Sequence, residues 1–125
     1  DIIAKSIKLK KYKININGKN LETRDGTPER DFIHISDLCE IHKSIYKYLN
    51  KNKKIVINCG SGKRFSVLKI IREFEKKIKK KFKITYKITN TNETQTICSN
   101  INLLRKKLKI DIKKKTIEDL IKDYI

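Results

Sequence analysis

The chain of 125 residues has few of the residues that build disulfide frameworks, metal sites or tight turns: 3 Cys, 2 His, 4 Gly and 1 Pro. Cys39, Cys59 and Cys98 form an odd set without CxxC spacing, which argues against a disulfide framework or a zinc site. We expect buried thiols in a reducing cytoplasm. No apolar run approaches the roughly 20 residues of a membrane helix, and no secretory segment opens the chain. These absences predict a cytoplasmic protein that makes no membrane contact.

Acidic residues are also scarce, with 14 Asp+Glu against 32 Lys+Arg and a net charge of +18. Lysine accounts for 27 of the cations and arginine for 5, while Lys, Ile and Asn together fill 60 positions. All three have A/T-rich codons, so a genome-wide base bias explains the excess. A nucleic-acid-binding protein usually clusters its cations on one face and uses arginine. We therefore do not expect a nucleic-acid partner, although a basic binding module remains an alternative.

The length indicates one domain, and the hydrophobic pattern alternates between strand and helix periodicity. Strands are predicted at residues 13–17, 31–35, 55–57 and 82–88, with the apolar run 55–57 covered on both faces. Apolar stripes predict helices at residues 38–49, 67–78, 104–108 and 117–124. Their expected N-caps are Ser36 or Asp37 for the first, Ser66 for the second, and Thr116 in a capping box for the last.

This order predicts an α/β layered fold. Three or four strands are few for a complete sheet, and the first residue is Asp1 rather than Met. We therefore expect one part of a larger unit. The turn at residues 60–62, GSG, follows a predicted strand and precedes a helix. It lacks the third glycine of a dinucleotide fingerprint, because Phe65 stands there. A glycine turn that leads into a capped helix is the simpler interpretation.

The most specific motif covers residues 25–38, DGTPERDFIHISDL. It resembles the Asp-Gly-Thr-x-x-Arg-Asp-Tyr-Ile-His-Val-x-Asp-Leu signature of UDP-glucose 4-epimerases, which are extended short-chain dehydrogenases. Residues 58–67, NCGSGKRFSV, are similar to that family's Asn-Leu-Gly-x-Gly-x-x-x-Ser-Val turn. Residues 100–108 are similar to its Asp-x-Ser-x-Ala-x-x-x-Leu helix. The blocks keep the family's order and spacing over nearly the whole chain, which resembles the C-terminal part of an epimerase.

The resemblance implies the C-terminal portion of a Rossmann-type fold, with the end of its sheet and a small substrate-binding subdomain. The family interconverts UDP-glucose and UDP-galactose: NAD takes a hydride from C4 of the sugar and returns it on the other face. A tyrosine of a Tyr-x-x-x-Lys pair is the base. The resemblance also implies a homodimer for the complete enzyme.

By the same resemblance, Arg30 is expected to bind the pyrophosphate, with a surface ion pair to Glu29 or Asp37 as the alternative. The strand segment Asn15, Ile16 and Asn17 is expected to present backbone groups to the uracil, with an ordinary edge strand as the alternative. Asn90 and Glu93 stand where the family has the arginine and aspartate of an Arg-x-Gly-Asp block, which binds phosphate and ribose, and they are candidate substrate-binding residues by that resemblance.

No Tyr-x-x-x-Lys pair and no Gly-x-x-Gly-x-x-Gly motif occurs in the chain. The resemblance therefore assigns NAD and the catalytic residues to an N-terminal part that this chain lacks, and we expect the 125 residues alone to be inactive. A nucleotide-sugar dehydratase or decarboxylase of the same family is the nearest alternative function.

Overall fold

The computed structural model describes residues 2–87, 94–110, 112 and 116–124. In chain order the elements are α1 (Ile2–Lys8), β1 (Lys13–Asn17), β2 (Glu29–Asp31), α2 (Ile35–Leu49), β3 (Arg64–Ser66), α3 (Val67–Ile78), β4 (Lys83–Lys87), α4 (Asn102–Leu108) and α5 (Ile117–Ile121), followed by a 3-10 turn at Lys122–Tyr124. No helix in these ranges is long and apolar enough to cross a membrane.

The strands form two small sheets. β1 and β4 run parallel, with Lys13 opposite Lys83 and Asn17 opposite Lys87. β2 and β3 run antiparallel, with Arg30 opposite Phe65. Because β3 leads directly into α3, the second sheet connects the glycine turn at residues 60–62 to the start of a long helix. The mixed helix and strand content agrees with the predicted class.

Two apolar clusters hold these elements together. The larger one joins β1 to the inward faces of α3 and α5, and its buried members are Ile14, Ile16, Ile70, Ile71, Phe74, Phe82, Ile117 and Ile121. The smaller one joins α2 to α4 around the fully buried Ile41 and Leu104. The stripes predicted for α3 and α5 thus supply most of the larger cluster, since helical spacing puts those residues on one face.

The helix starts at Ser66 and Thr116 are confirmed. Ser66 Oγ accepts a hydrogen bond from Lys69 N at 3.1 Å. Thr116 Oγ1 accepts one from Asp119 N at 3.2 Å, and Asp119 Oδ2 accepts the Thr116 N–H at 2.8 Å. Both caps satisfy donors that a helix start leaves without an intrahelical partner.

The predicted cap of α2 is wrong, and so is the strand at residues 31–35. The helix begins at Ile35 with His34 as its N-cap, whose Nδ1 accepts the Ser36 N–H at 3.2 Å. The strand is only Glu29–Asp31. A ring nitrogen thus replaces the side-chain oxygen that usually caps a helix, which moves the helix start ahead of both Ser36 and Asp37.

The strand predicted at residues 55–57 is also absent from the structure. No described strand pairs with this run, so its backbone groups gain no sheet partner there. Val56 is 89% exposed, whereas Ile57 packs on the smaller cluster.

The expectation that the cysteine thiols are buried is wrong, because Cys39 and Cys98 are exposed and Cys59 is only partly buried.

Glu75 is a buried carboxylate that joins α3 to β4. It accepts hydrogen bonds from Arg72 Nη1 at 2.7 Å and from Phe82 N at 2.8 Å. Burial raises its pKa, but these bonds outweigh that effect and leave the pKa of Glu75 below its usual value. A buried charge is tolerated here because it is paired and hydrogen-bonded.

Candidate nucleotide-binding edge

Arg30 lies in the middle of β2, and main-chain carbonyls hold its guanidinium. Arg30 Nη1 donates to the carbonyl oxygens of Glu29 at 2.9 Å, Thr94 at 2.9 Å and Gln95 at 3.4 Å. The side chain of Glu29 forms an ion pair with Arg64 Nε at 3.1 Å. The carbonyl contacts fix a half-buried cation against a segment that is far away in the sequence.

β1 presents one edge that β4 does not cover. Tyr12 O accepts from Lys83 N at 2.8 Å, and Gly18 N donates to Lys87 O at 3.1 Å, so even-numbered residues direct their backbone groups toward β4. The backbone groups of Lys13 point away from β4, since its N–H donates to Ser6 Oγ and its carbonyl oxygen accepts from the same hydroxyl, both at 3.2 Å. Backbone groups alternate along a strand, so those of Asn15 and Asn17 lie on the edge that faces away from β4.

The side chains of this segment divide in the same regular way. Ile16 is 2% exposed and belongs to the larger apolar cluster, whereas Asn15 and Asn17 are exposed. Ile16 therefore anchors the strand. Its two neighbours leave main-chain donors and acceptors at the edge.

The end of β1 lies close to the segment that leads into β2. An added Cβ on Gly18, which has φ +86°, would lie 3.5 Å from Pro28 Cγ. Lys87, the last residue of β4, lies opposite Asn17 at the end of β1, and Thr94 contacts Arg30. The described residues therefore stop beside Asn17 and start again beside Arg30. Asn90 and Glu93 lie outside the described residues.

The first part of the signature motif caps α3. Thr27 Oγ1 accepts the Leu68 N–H at 3.2 Å, and Pro28 O accepts the Val67 N–H at 3.0 Å. Asp25 Oδ1 in turn accepts from Thr27 N at 3.0 Å and from Thr27 Oγ1 at 2.6 Å, while its Oδ2 accepts from Ser66 Oγ. Asp25 and Thr27 therefore orient the helix start.

Asp31 occupies the concave side of the glycine turn. Its Oδ1 accepts from Ser61 N at 2.9 Å and Ser61 Oγ at 2.5 Å, and its Oδ2 accepts from Gly62 N and Ser99 N at 3.1 Å each. Gly60 must lack a side chain, because an added Cβ would collide with Ser99 Oγ and Asp31 Oδ2. Successive amides that converge on one anion form a nest, and here the anion belongs to the protein.

Both carboxylates are held in the ionised form. Partial burial raises the pKa of Asp25, but hydrogen bonds from Ser66 and Thr27 outweigh it, so that pKa lies below its usual value. Burial acts on Asp31 in the same direction and is outweighed by the bonds from Ser61, Ser99 and Gly62, so the pKa of Asp31 is also lowered. Hydrogen bonding to the charged form is the cause in both cases.

Sequence reasoning selected Arg30 and the β1 segment but missed the roles of Asp25, Thr27 and Asp31. The signal was present, because all three belong to the quoted motif. Their long-range partners lie about 30 to 70 residues away, at Ser61, Ser66, Leu68 and Ser99, and no local pattern reveals such pairs.

Three curated relatives show how far the similarity extends. UDP-glucose 4-epimerase of Bacillus subtilis is 41% identical over 64 residues, which are 50% of this chain and 19% of that protein. The enzyme of Drosophila melanogaster is 35% identical over 101 residues, 76% of this chain and 28% of that protein. The enzyme of Rhizobium meliloti is 32% identical over 92 residues, which are 73% of this chain and 28% of that protein. Over these stretches the chain is similar to UDP-glucose 4-epimerases. It spans less than a third of the length of these relatives.

Solved structures agree on the fold. UDP-glucose 4-epimerase of Bifidobacterium longum, in complex with NAD+ and UDP, superimposes with a TM-score of 0.85 at 25% identity over 98% of this chain and 36% of that one. The UDP-Glc/GlcNAc 4-epimerase of Campylobacter jejuni gives 0.84 at 28% identity, covering 98% and 38%. An NAD-dependent NDP-hexosamine 5,6-dehydratase gives 0.72 at 22% identity, covering 96% and 36%. The predicted α/β portion of a Rossmann-type epimerase fold is confirmed. No protein-family model matches the chain.

Proposed function

We propose that this epimerase-like chain is the substrate-binding part of an enzyme that interconverts UDP-glucose and UDP-galactose at C4. Arg30 binds the pyrophosphate, and the outward backbone groups of Asn15 and Asn17 bind the uracil. The observation that supports this most is the alternation along β1. It turns the donors and acceptors of these two residues away from β4 while Ile16 holds the strand in the core. Backbone groups recognise a base edge whatever the side chain.

The positive charge of Arg30 suits the pyrophosphate of such a ligand. A guanidinium presents donors in a planar fork that matches phosphate oxygens. Its contacts with the carbonyls of Glu29, Thr94 and Gln95 hold it in place before any ligand arrives. A fixed cation beside a fixed backbone edge can recognise a nucleoside diphosphate at two points.

NAD accompanies several of the neighbouring structures, and it is the cofactor we propose for the complete enzyme. The glycine turn of this chain does not fit it, because Asp31 already accepts the amides of Ser61 and Gly62. A second anion there would meet that carboxylate. We therefore assign NAD, the catalytic tyrosine and its lysine to an N-terminal part. By the family resemblance, we also propose that the complete enzyme is a cytoplasmic homodimer.

A coupled assay tests the proposal by measuring UDP-glucose formed from UDP-galactose with NAD. The chain is tested alone, and then joined to or mixed with the NAD-binding half of a UDP-glucose 4-epimerase. We expect turnover only when both parts are present, since this sequence has no Tyr-x-x-x-Lys pair. Turnover by the chain alone would refute the division of roles. Loss of water from the sugar instead of epimerisation would favour a dehydratase.

A further inference from the structure

Three consecutive residues of β2 hold one distant segment, residues 94–99. Glu29 pairs with it through the main chain, since Glu29 N donates to Gln95 O at 2.8 Å and Glu29 O accepts the Ile97 N–H at 3.0 Å. Arg30 contacts the carbonyls of Thr94 and Gln95. Asp31 contacts the far end of the segment through Ser99 N.

Asp31 also holds the glycine turn, because its two oxygens accept from Ser61 N, Ser61 Oγ and Gly62 N in addition to Ser99 N. The same carboxylate therefore sets the distance between the turn and residues 94–99. Gly60 allows the close approach, since a methyl group there would push Asp31 and Ser99 apart.

We propose that Asp31 is a positioning residue for nucleotide-sugar binding: by fixing residues 94–99 against β2, it places the carbonyls that hold the guanidinium of Arg30. This inference rests on the proposed function of Arg30. Both oxygens of Asp31 already accept hydrogen bonds from the protein, so the carboxylate acts through Arg30 and does not itself touch the ligand.

Asp31→Asn isolates this role with little change in size. The amide keeps one acceptor oxygen. Where its NH2 group takes the place of Oδ2, it faces the N–H donors of Gly62 and Ser99, and those two of the four bonds are replaced by facing donors. Residues 94–99 lose their anchor at Ser99, and the contacts of Arg30 loosen. Since the proton-transfer groups lie on the other part of the enzyme, substrate binding should weaken more than turnover.

The experiment uses the complete enzyme, which is this chain joined to or mixed with the NAD-binding half of a UDP-glucose 4-epimerase. It compares Asp31→Asn with Asp25→Asn. The control also removes a carboxylate that accepts several hydrogen bonds, but its partners are Thr27 and Ser66 rather than residues 94–99. We expect Asp31→Asn to raise KM for UDP-galactose about tenfold, with kcat within about twofold. This is the kinetic signature of lost binding that the ground state and the transition state share. Asp25→Asn should leave KM within about twofold.

Gly60→Ala is a second variant that disturbs the same contact without changing any charge. It should raise KM in the same direction, and thermal melting will show which variants remain folded. Equal rises in KM for Asp31→Asn and Asp25→Asn, or a fall in kcat at constant KM, would overturn the positioning role.

If the wild-type complete enzyme binds UDP but does not epimerise, the proposed reaction fails, and the Asp31 inference is decided by UDP affinity in calorimetry. Weaker UDP binding by Asp31→Asn than by Asp25→Asn would still support the positioning role. Equal affinities for the two variants, or no UDP binding by the wild type, would refute it.

Discussion

At the scale of the residue, the signature motif combines two kinds of work. Asp25 and Thr27 satisfy the donors of a helix start, and Asp31 closes a glycine turn, while Arg30 is the member proposed to meet the ligand. A motif match therefore does not assign a role to each of its residues. The contacts of each side chain make that assignment.

The proposed role of Arg30 predicts a loss of UDP-sugar affinity on truncation. In the complete enzyme, Arg30→Ala should raise KM for the UDP-sugar about thirtyfold, equivalent to about 2 kcal/mol, because truncating a buried partner of a charge pair typically costs that much or more. Calorimetry with UDP measures the binding part directly. Arg24→Ala removes the same charge from an exposed side chain of the preceding loop and should bind UDP as the wild type does. Unchanged UDP affinity in Arg30→Ala would exclude the pyrophosphate role.

The lowered pKa values of Asp25 and Asp31 predict acid sensitivity. A carboxylate whose pKa is lower in the folded state contributes stability above its unfolded-state pKa of about 3.9. That contribution is lost as pH falls through the lowered value. Urea unfolding of the complete enzyme from pH 7 down to about pH 3 should show a steep loss of stability below about pH 4. Replacing both residues by Asn should reduce the loss of unfolding free energy below about pH 4. Glu22→Gln, at an exposed site, should not reduce it.

At the scale of the element, the proposed uracil site depends on an edge rather than on side chains. Asn15→Ala and Asn17→Ala should change UDP affinity by less than about twofold, since the backbone groups remain. Asn15→Pro should weaken it strongly, because proline has no N–H to donate. Transferred-NOE contacts between uracil and residues 15–17 are the direct measurement. Contacts of uracil only with other segments would reject the site.

Elements with a long periodic pattern were predictable from the sequence. The stripe of α3 and the capping box of α5 were recognised because helical contacts and caps are local. The antiparallel pair β2 and β3 was not, since strands of three residues carry almost no periodicity and depend on partners about 35 residues away. The helix α1 was missed for a related reason: seven residues at the start of the chain offer no capping signal. The run at 55–57 has the composition of a buried strand, but no described strand pairs with it.

At the scale of the whole molecule, the proposed division of substrate binding and catalysis between two parts predicts a change in folding as well as in activity. Ile57 packs on the smaller apolar cluster while Val56 is exposed. The chain therefore presents an apolar segment with which no described strand pairs. In a complete epimerase fold this run should be paired and covered.

Hydrogen exchange checks this expectation. Amides of residues 55–57 should exchange rapidly in the chain alone and become protected when the NAD-binding half is added, because pairing removes them from water. The interior of α3, which packs on the larger cluster, should be protected more than residues 55–57 in both samples. Slow exchange at residues 55–57 in the chain alone would show that this region does not depend on the other half.

The exposure of Val56 also has a cellular consequence. Unpaired apolar segments promote association with other chains. Chaperones and proteases act on chains that are not fully folded, so small losses of stability change protein abundance several-fold. A cell that made this chain without a covering partner would clear it, so its steady-state level would follow the supply of that partner rather than its own rate of synthesis.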